Sequence, residues 1–318
     1  MLFGAHCSTA GGVASALERA VRIGADCCQL FVKNNMQWFA RPFREEELQA
    51  FHEVRQRAGL ACVFGHAGYL INLAAPPSSN RDKSVRSLVE EIGRAAQLEL
   101  PFLVVHPGAH LGAGVEAGLR RVSEAIEEVV TATRGLGVRI ALENTAGQGT
   151  CLGGELWHLA EVYQRVGCAD RLAICLDTAH LWGAGYDIRV PAGWDRVWEE
   201  LERWVGLDQV VAFHLNDSKA ALGSRRDRHE HIGRGRLGRE AFRLLVSDPR
   251  FDRLPGCLET PKSEDLHEDR ENLAVLRSLC ATGGGRRLAK QGAWAGGRRS
   301  RAKVKWRREG DSNPRYGF

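Results

Sequence analysis

The chain has no Cys-x-x-Cys pair, no Gly-x-Gly-x-x-Gly after its first apolar run and no Walker A sequence. The first absence argues against a thiolate metal site, and the other two remove the main support for a nucleotide cofactor. No uninterrupted apolar run approaches the ~18 residues that a membrane helix needs. The opening segment, MLFGAHCSTAGG, lacks a basic stretch followed by a long apolar one, so no secretory signal is expected and the protein is read as cytoplasmic. The nine cysteines are odd in number, and Cys27, Cys28, Cys62, Cys175 and Cys257 fall in apolar segments. They read as small buried hydrophobes rather than disulfide partners.

What is present fits a globular protein: 318 residues, 44% hydrophobic and 26% charged. The formal charge of +5 is unevenly spread. From Gly283 onward eight Arg and three Lys face Glu309 and Asp311, a net of 11 − 2 = +9, which leaves 5 − 9 = −4 for residues 1–282. The basic character belongs to the tail, so pI alone says nothing about a nucleic-acid partner.

Eight short apolar runs alternate with longer helical stretches: Leu2–His6, Cys27–Val32, Ala61–Ala67, Phe102–Pro107, Arg139–Thr145, Leu172–His180, Val210–Asp217 and Gly256–Pro261. Most are continuously apolar, as buried parallel strands are. In Ser84–Leu98 between them, Val85, Leu88, Val89 and Ile92 recur at helical spacing. Eight strand–helix units predict a (β/α)8 TIM barrel over residues 1–282, with a doubly wound sheet as the alternative. Residues 283–318 are Gly- and Arg-rich without hydrophobic periodicity, and predict a disordered basic tail.

Six successive predicted strands end on a His or a carboxylate: His66 in FGHAGY, His106 in VVHPG, Glu143 in ALENT, Asp177 and His180 in CLDTAH, His214 in FHLND, and Glu259 in CLETP. In a barrel these ends converge on the face that carries active sites. Asp227 and His229 follow in DRHEH, two apart, so an extended chain points both the same way. Gathering so many imidazoles and carboxylates without a counter-ion is costly, and divalent cations resolve the cost. Nine donors exceed one tetrahedral zinc and suit two or three zinc-like ions bridged by carboxylates. Such clusters hydrolyse phosphoesters. A metal-dependent sugar isomerase or epimerase on the same barrel is the competing reading.

The segments GAHCSTAGG, KNNMQW, GHAGYLINLA, VVHPGAH, LENTAGQG, CLDTAHLWGAGYDI, FHLNDSK, DRHEHIGRG and LETPK follow one another from about Leu2 to Cys280. In this order they resemble the signature segments of the endonuclease IV family of apurinic/apyrimidinic endonucleases. The resemblance implies a trinuclear zinc site, with Mn2+ admissible at one position, acting on double-stranded DNA with abasic sites or blocked 3′ ends. It implies cleavage 5′ to the abasic site by a metal-bound hydroxide, leaving a 3′-hydroxyl and a 5′-deoxyribose phosphate, with removal of 3′-blocking groups. By the same resemblance His66, His106 and Glu143 hold one ion. Glu143, Asp177, His214 and Glu259 hold a second, and His180, Asp227 and His229 a third, with Glu143 and Glu259 the carboxylates on which catalysis depends. Met36, Tyr69 and Leu70 match positions that wedge into the duplex. Met36 departs from a family member with Arg there and gives up a charge. A monomer suffices for such a substrate.

The remaining histidines divide. His6 reads equally as a residue near the DNA face and as a packed structural one. His110 and His231 are placed behind neighbouring ligands. His52, His158 and His267 are placed on helix surfaces. For the tail, one reading is a basic arm with salt-sensitive DNA affinity. The favoured one is read-through into a downstream transfer-RNA gene or a gene-model extension, because Ser312-Asn313-Pro314 can be encoded by a T-loop-like sequence.

Overall fold

A computed structural model describes residues 1–281, and the tail predicted from Gly283 onward lies outside the described residues. Eight parallel strands close a barrel: β1 (Leu2–His6), β2 (Cys27–Phe31), β3 (Cys62–His66), β4 (Phe102–Val105), β5 (Arg139–Glu143), β6 (Leu172–Asp177), β7 (Val210–His214) and β10 (Pro255–Leu258). β1 pairs with both β2 and β10, which closes the ring. A short antiparallel hairpin, β8 (Asp217–Ser218) with β9 (His229–Glu230), stands between β7 and β10. The TIM-barrel expectation therefore holds.

The strands are apolar on both faces because both are covered. Small and aromatic side chains fill the interior, among them Cys27, Phe64, Phe102, Val104, Ala141, Ala173, Cys175, Ala212 and Cys257. The Phe64 and Phe102 rings lie 4.8 Å apart. Between β1 and β2 the approach depends on Gly4, since a Cβ there would fall 1.9 Å from the Cys27 carbonyl oxygen. Outside, helices lay their apolar stripes on the strands. The helix Ser79–Gln97 begins where Ser78 Oγ accepts the Arg81 N–H at 3.2 Å, and it buries Val85, Leu88, Ile92 and Ala95. Leu88→Ala should cost about 2–5 kcal/mol. The cysteines are free thiols: Cys27, Cys28, Cys175 and Cys257 are buried as expected, as is Cys7, whereas Cys62, Cys151 and Cys168 are half-buried and Cys280 is exposed.

The chain departs from the sequence reading in one place that matters. The run Leu172–His180 is not all strand: β6 stops at Asp177, and a helix runs over Thr178–Ala184. Asp177 is its N-cap, with Oδ1 accepting the His180 N–H at 2.7 Å. His180 thus projects from a helical first turn, not from a strand end.

Candidate metal centre at the carboxyl end of the barrel

Glu143, last residue of β5, is fully buried and lies among four imidazoles. Its Oε1 is 2.9 Å from His214 Nδ1 and 3.2 Å from His180 Nδ1, and its Oε2 is 3.3 Å from His66 Nε2 and 3.1 Å from His106 Nε2. Glu259 Oε2 approaches His214 Nδ1 at 3.4 Å. On the outer side Asp227 spans two rings, Oδ2 at 3.3 Å from His180 Nε2 and Oδ1 at 3.0 Å from His229 Nε2. Asp177 Oδ2 lies 3.7 Å from the same His229 nitrogen.

Three groups of donor atoms therefore form, each within 4.8 Å internally: His66, His106 and Glu143; Glu143, Asp177, His214 and Glu259; and Asp177, His180 and His229. All nine candidates gather at one barrel mouth. The first two groups coincide with the sets the resemblance implies. In the third, Asp177 stands within the group while Asp227 braces its two imidazoles, so Asp177 belongs to two groups, as Glu143 does.

The donors fit divalent cations on their own chemistry. Each of four rings has one nitrogen committed outward. His66 Nδ1 donates to the Ala67 carbonyl at 2.7 Å, His180 Nδ1 to Asn144 O at 2.9 Å, His229 Nδ1 to Glu259 O at 3.2 Å, and His214 Nε2 to Gln29 Oε1 at 2.7 Å. A carbonyl only accepts, so a proton sits on that nitrogen, and the other nitrogen is the one left to face a cation. His106 Nε2 and His229 Nε2 are buried without a hydrogen-bond partner, although carboxylate oxygens lie within ion-pair distance. Groups so close yet misaligned converge on a common point rather than on one another. Burial opposes charge on the carboxylates, but His214 and His106 hold Glu143 well below the ordinary carboxylate range, and His214 does the same for Glu259. Against its own burial, His229 is raised to about 9 by Asp177 and Asp227. The centre demands positive charge.

Three residues that sequence reading passed over hold these donors. Gln29, fully buried on β2, donates to Glu259 Oε1 at 2.6 Å and to His6 Nδ1 at 2.8 Å while accepting from His214. Its signal was a lone amide inside CCQLF, where a buried polar group must be partnered. Asn144 Oδ1 accepts the Asp177 N–H at 2.7 Å, and Asn216 Nδ2 donates to Asp177 Oδ2 at 2.6 Å. His6 packs on Phe31 with centroids 4.2 Å apart, and burial pushes its pKa down to about 4, so it is a neutral packed ring at the edge of the centre.

The other histidines require corrections. His110 Nδ1 accepts the Gly114 N–H within its own loop, and His231 Nδ1 bonds Asn272 on the helix His267–Ala281, so these bonds go to other groups than the donors. His158 is not a surface residue. It is buried, its Nδ1 accepts the Gly153 N–H at 3.0 Å, and burial pushes its pKa down to about 4.

Two loops overlook the mouth. Met36 and Tyr69 are 64% and 63% exposed, large apolar surfaces left to solvent, with Leu70 half-buried beside them. A buried ion pair joins the loops from beneath: Lys33 Nζ lies 2.9 Å from Glu91 Oε1, while Glu91 Oε2 accepts the Gly68 N–H at 3.0 Å. Lys33 also donates to Gln37 O, and Tyr69 N–H to Asn35 O at 3.2 Å. Clefts lined by Tyr69, His106, Cys151, His180 and Asp227 on one side, and by His6, Arg228, His229, Glu259 and Lys262 on the other, meet over the donors.

A parallel barrel whose strand ends deliver a multi-carboxylate, multi-imidazole centre defines a class, and the family model described as "Xylose isomerase-like TIM barrel" matches residues 17–279. Within it, the chain is 53% identical to the "Probable endonuclease 4" of Chloroflexus aggregans over 277 residues, 87% of this chain and 97% of that one. It superposes on endonuclease IV from Thermus thermophilus with a TM-score of 0.76 at 36% identity, covering 88% and 99% of the two chains. A D-tagatose 3-epimerase-like protein, 21% identical with a TM-score of 0.68 over 88% of this chain and 98% of that one, shares the fold alone. The chain belongs to the endonuclease IV family.

Proposed function

We propose that this protein is a DNA-repair endonuclease that hydrolyses the phosphodiester 5′ to abasic sites in duplex DNA. The products are a 3′-hydroxyl and a 5′-deoxyribose phosphate, and the same centre removes 3′-blocking groups. The observation that carries this is the presence of three overlapping donor groups at one mouth, sharing Glu143 and Asp177. His66, His106 and Glu143 would hold one zinc, Glu143, Asp177, His214 and Glu259 a second, and His180, Asp227 and His229 the third, with Mn2+ admissible at one of them. Zinc ions held there supply Lewis acidity and water activated at neutral pH.

The chain's own residues do the rest. Glu143 and Asp177 set the spacing between groups. Gln29, Asn144 and Asn216 hold His214, Glu259 and Asp177 in place. Tyr69 and Leu70, with Met36 opposite, fill the gap left by an absent base and keep the strand kinked. A deoxyribose without a base can turn into the mouth, since no base pair has to be broken. The barrel works as a monomer in the cytoplasm.

The test is incision of a duplex carrying one synthetic abasic site by zinc-replete protein, with activity lost in Glu259→Ala. Absence of incision overturns the proposal, and turnover of a ketose instead installs the isomerase reading.

A further inference from the structure

After β7 the chain makes a detour. It forms β8, runs out through residues 219–228, returns as β9 and passes over β8 again through Gly233–Gly238 before the helix Gly238–Val246. The outer part of this detour brings Asp227 and His229 to His180. The base of the detour is closed by Asp217, which is fully buried. Its Oδ1 accepts the N–H groups of Ser218 at 2.7 Å and Leu237 at 2.9 Å. Its Oδ2 accepts those of Gly233 at 2.9 Å, Gly235 at 3.0 Å and Gly238 at 3.2 Å. Five backbone donors thus converge on one carboxylate.

The returning segment can fold this closely only because of its glycines. Gly233 and Gly238 have φ of 77° and 69°, left-handed values that turn successive N–H groups inward. A Cβ on Gly235 would fall 2.3 Å from Asp217 Oδ1. Arg236 N–H adds a bond to Ser218 O at 2.7 Å, which staples the returning segment to β8 itself.

We propose that Asp217 is the positioning residue for the outermost metal: by gathering both ends of the detour on one carboxylate, it fixes where Asp227 and His229 stand relative to His180. The inference rests on the proposed third ion. Donors of the other two groups sit on or directly after barrel strands, and their placement does not pass through Asp217.

The test uses the full-length chain and counts bound zinc by mass spectrometry and by titration with a chromogenic chelator. Asp217→Asn keeps the shape but turns an amide N–H2 toward backbone N–H groups. Its expected result is loss of one of three ions at limiting zinc, with the affinity of that ion weakened about 10- to 100-fold. Excess zinc should restore incision, which would not happen if Asp217 mattered only for folding. Should Asp217→Asn not fold, Gly235→Ala carries the same test, because it disturbs the cradle while leaving the charge. His229→Ala is the reference that removes the third site itself. Loss of an ion in His229→Ala but three tightly held ions in the Asp217 or Gly235 variant overturns the role of Asp217 alone. An unchanged count in His229→Ala overturns the third-ion reading and this inference with it. Equal weakening of all three ions in Asp217→Asn also overturns it.

Discussion

The two sides of the donor cluster are built differently. The inner side, around Glu143, stands on the ends of hydrogen-bonded parallel strands, and Glu143 and His214 are fully buried. The outer side hangs on a helical first turn and a hairpin loop. Strand-borne donors inherit their spacing from barrel register, which the whole core enforces. Loop-borne donors depend on caps, turns and glycines, so local chemistry decides their position. Under the proposed function, an inner ion should therefore exchange slowly and an outer one quickly.

Five measurements bear on this contrast. Glu143→Ala removes the carboxylate shared by two groups, and it should lower incision by at least the roughly 10^2–10^3-fold that losing one charge-stabilising group costs, with zinc content falling at two sites. If its activity stays near wild type, Glu143 is not the centre of the inner side. Breaking the buried Lys33–Glu91 pair with Glu91→Gln or Lys33→Met should cost about 3–5 kcal/mol, read as a fall in the denaturation midpoint, because one buried charge is left uncompensated. The double variant Lys33→Met/Glu91→Leu should regain much of that. His229→Ala should weaken one ion by about 10- to 100-fold while sparing the inner two, and brief chelation of wild-type protein should strip the same ion first. Uniform stripping would erase the distinction between the sides.

His158 supplies a control in the scaffold. Its folded pKa of about 4 lies below the ordinary value of 6.5, so its neutral form favours the folded state. That contribution is complete above pH 6.5 and is lost as pH falls toward 4. His158→Gln should flatten the acid side of the stability curve by roughly 1–3 kcal/mol without altering zinc content. A curve parallel to wild type would show that His158 is not what acid attacks. The smallest effect expected is none: truncation after Thr282 should leave incision intact, and collapse at moderate salt would restore the basic-arm reading.

The barrel was legible because parallel strands buried on both faces write themselves as apolar runs, and because eight of them fit one closure. The donor cluster was legible for the same reason: a charged residue ending an apolar run has one place to go. What stayed hidden depends on short-range geometry. The helix starting at Thr178 lay inside an apolar run and was concealed by it, so His180 was set on the wrong kind of element. Hairpin strands of two residues carry no periodicity. Gln29 looked like a blemish in a strand, and His158, on an amphipathic helix, sits on the inward face that spacing alone did not single out.

Glu91 offers a last consequence. One carboxylate takes the Gly68 amide and the Lys33 ammonium together, so the Met36 loop and the Tyr69–Leu70 loop are tied into a single jaw rather than standing as two fingers. Under the proposed function, such a jaw does not mould itself to intact duplex. It enters where the helix gives way, and a position without its base gives way most easily. Discrimination of damage then becomes a matter of the stiffness of the DNA, read by a tool too rigid to compromise.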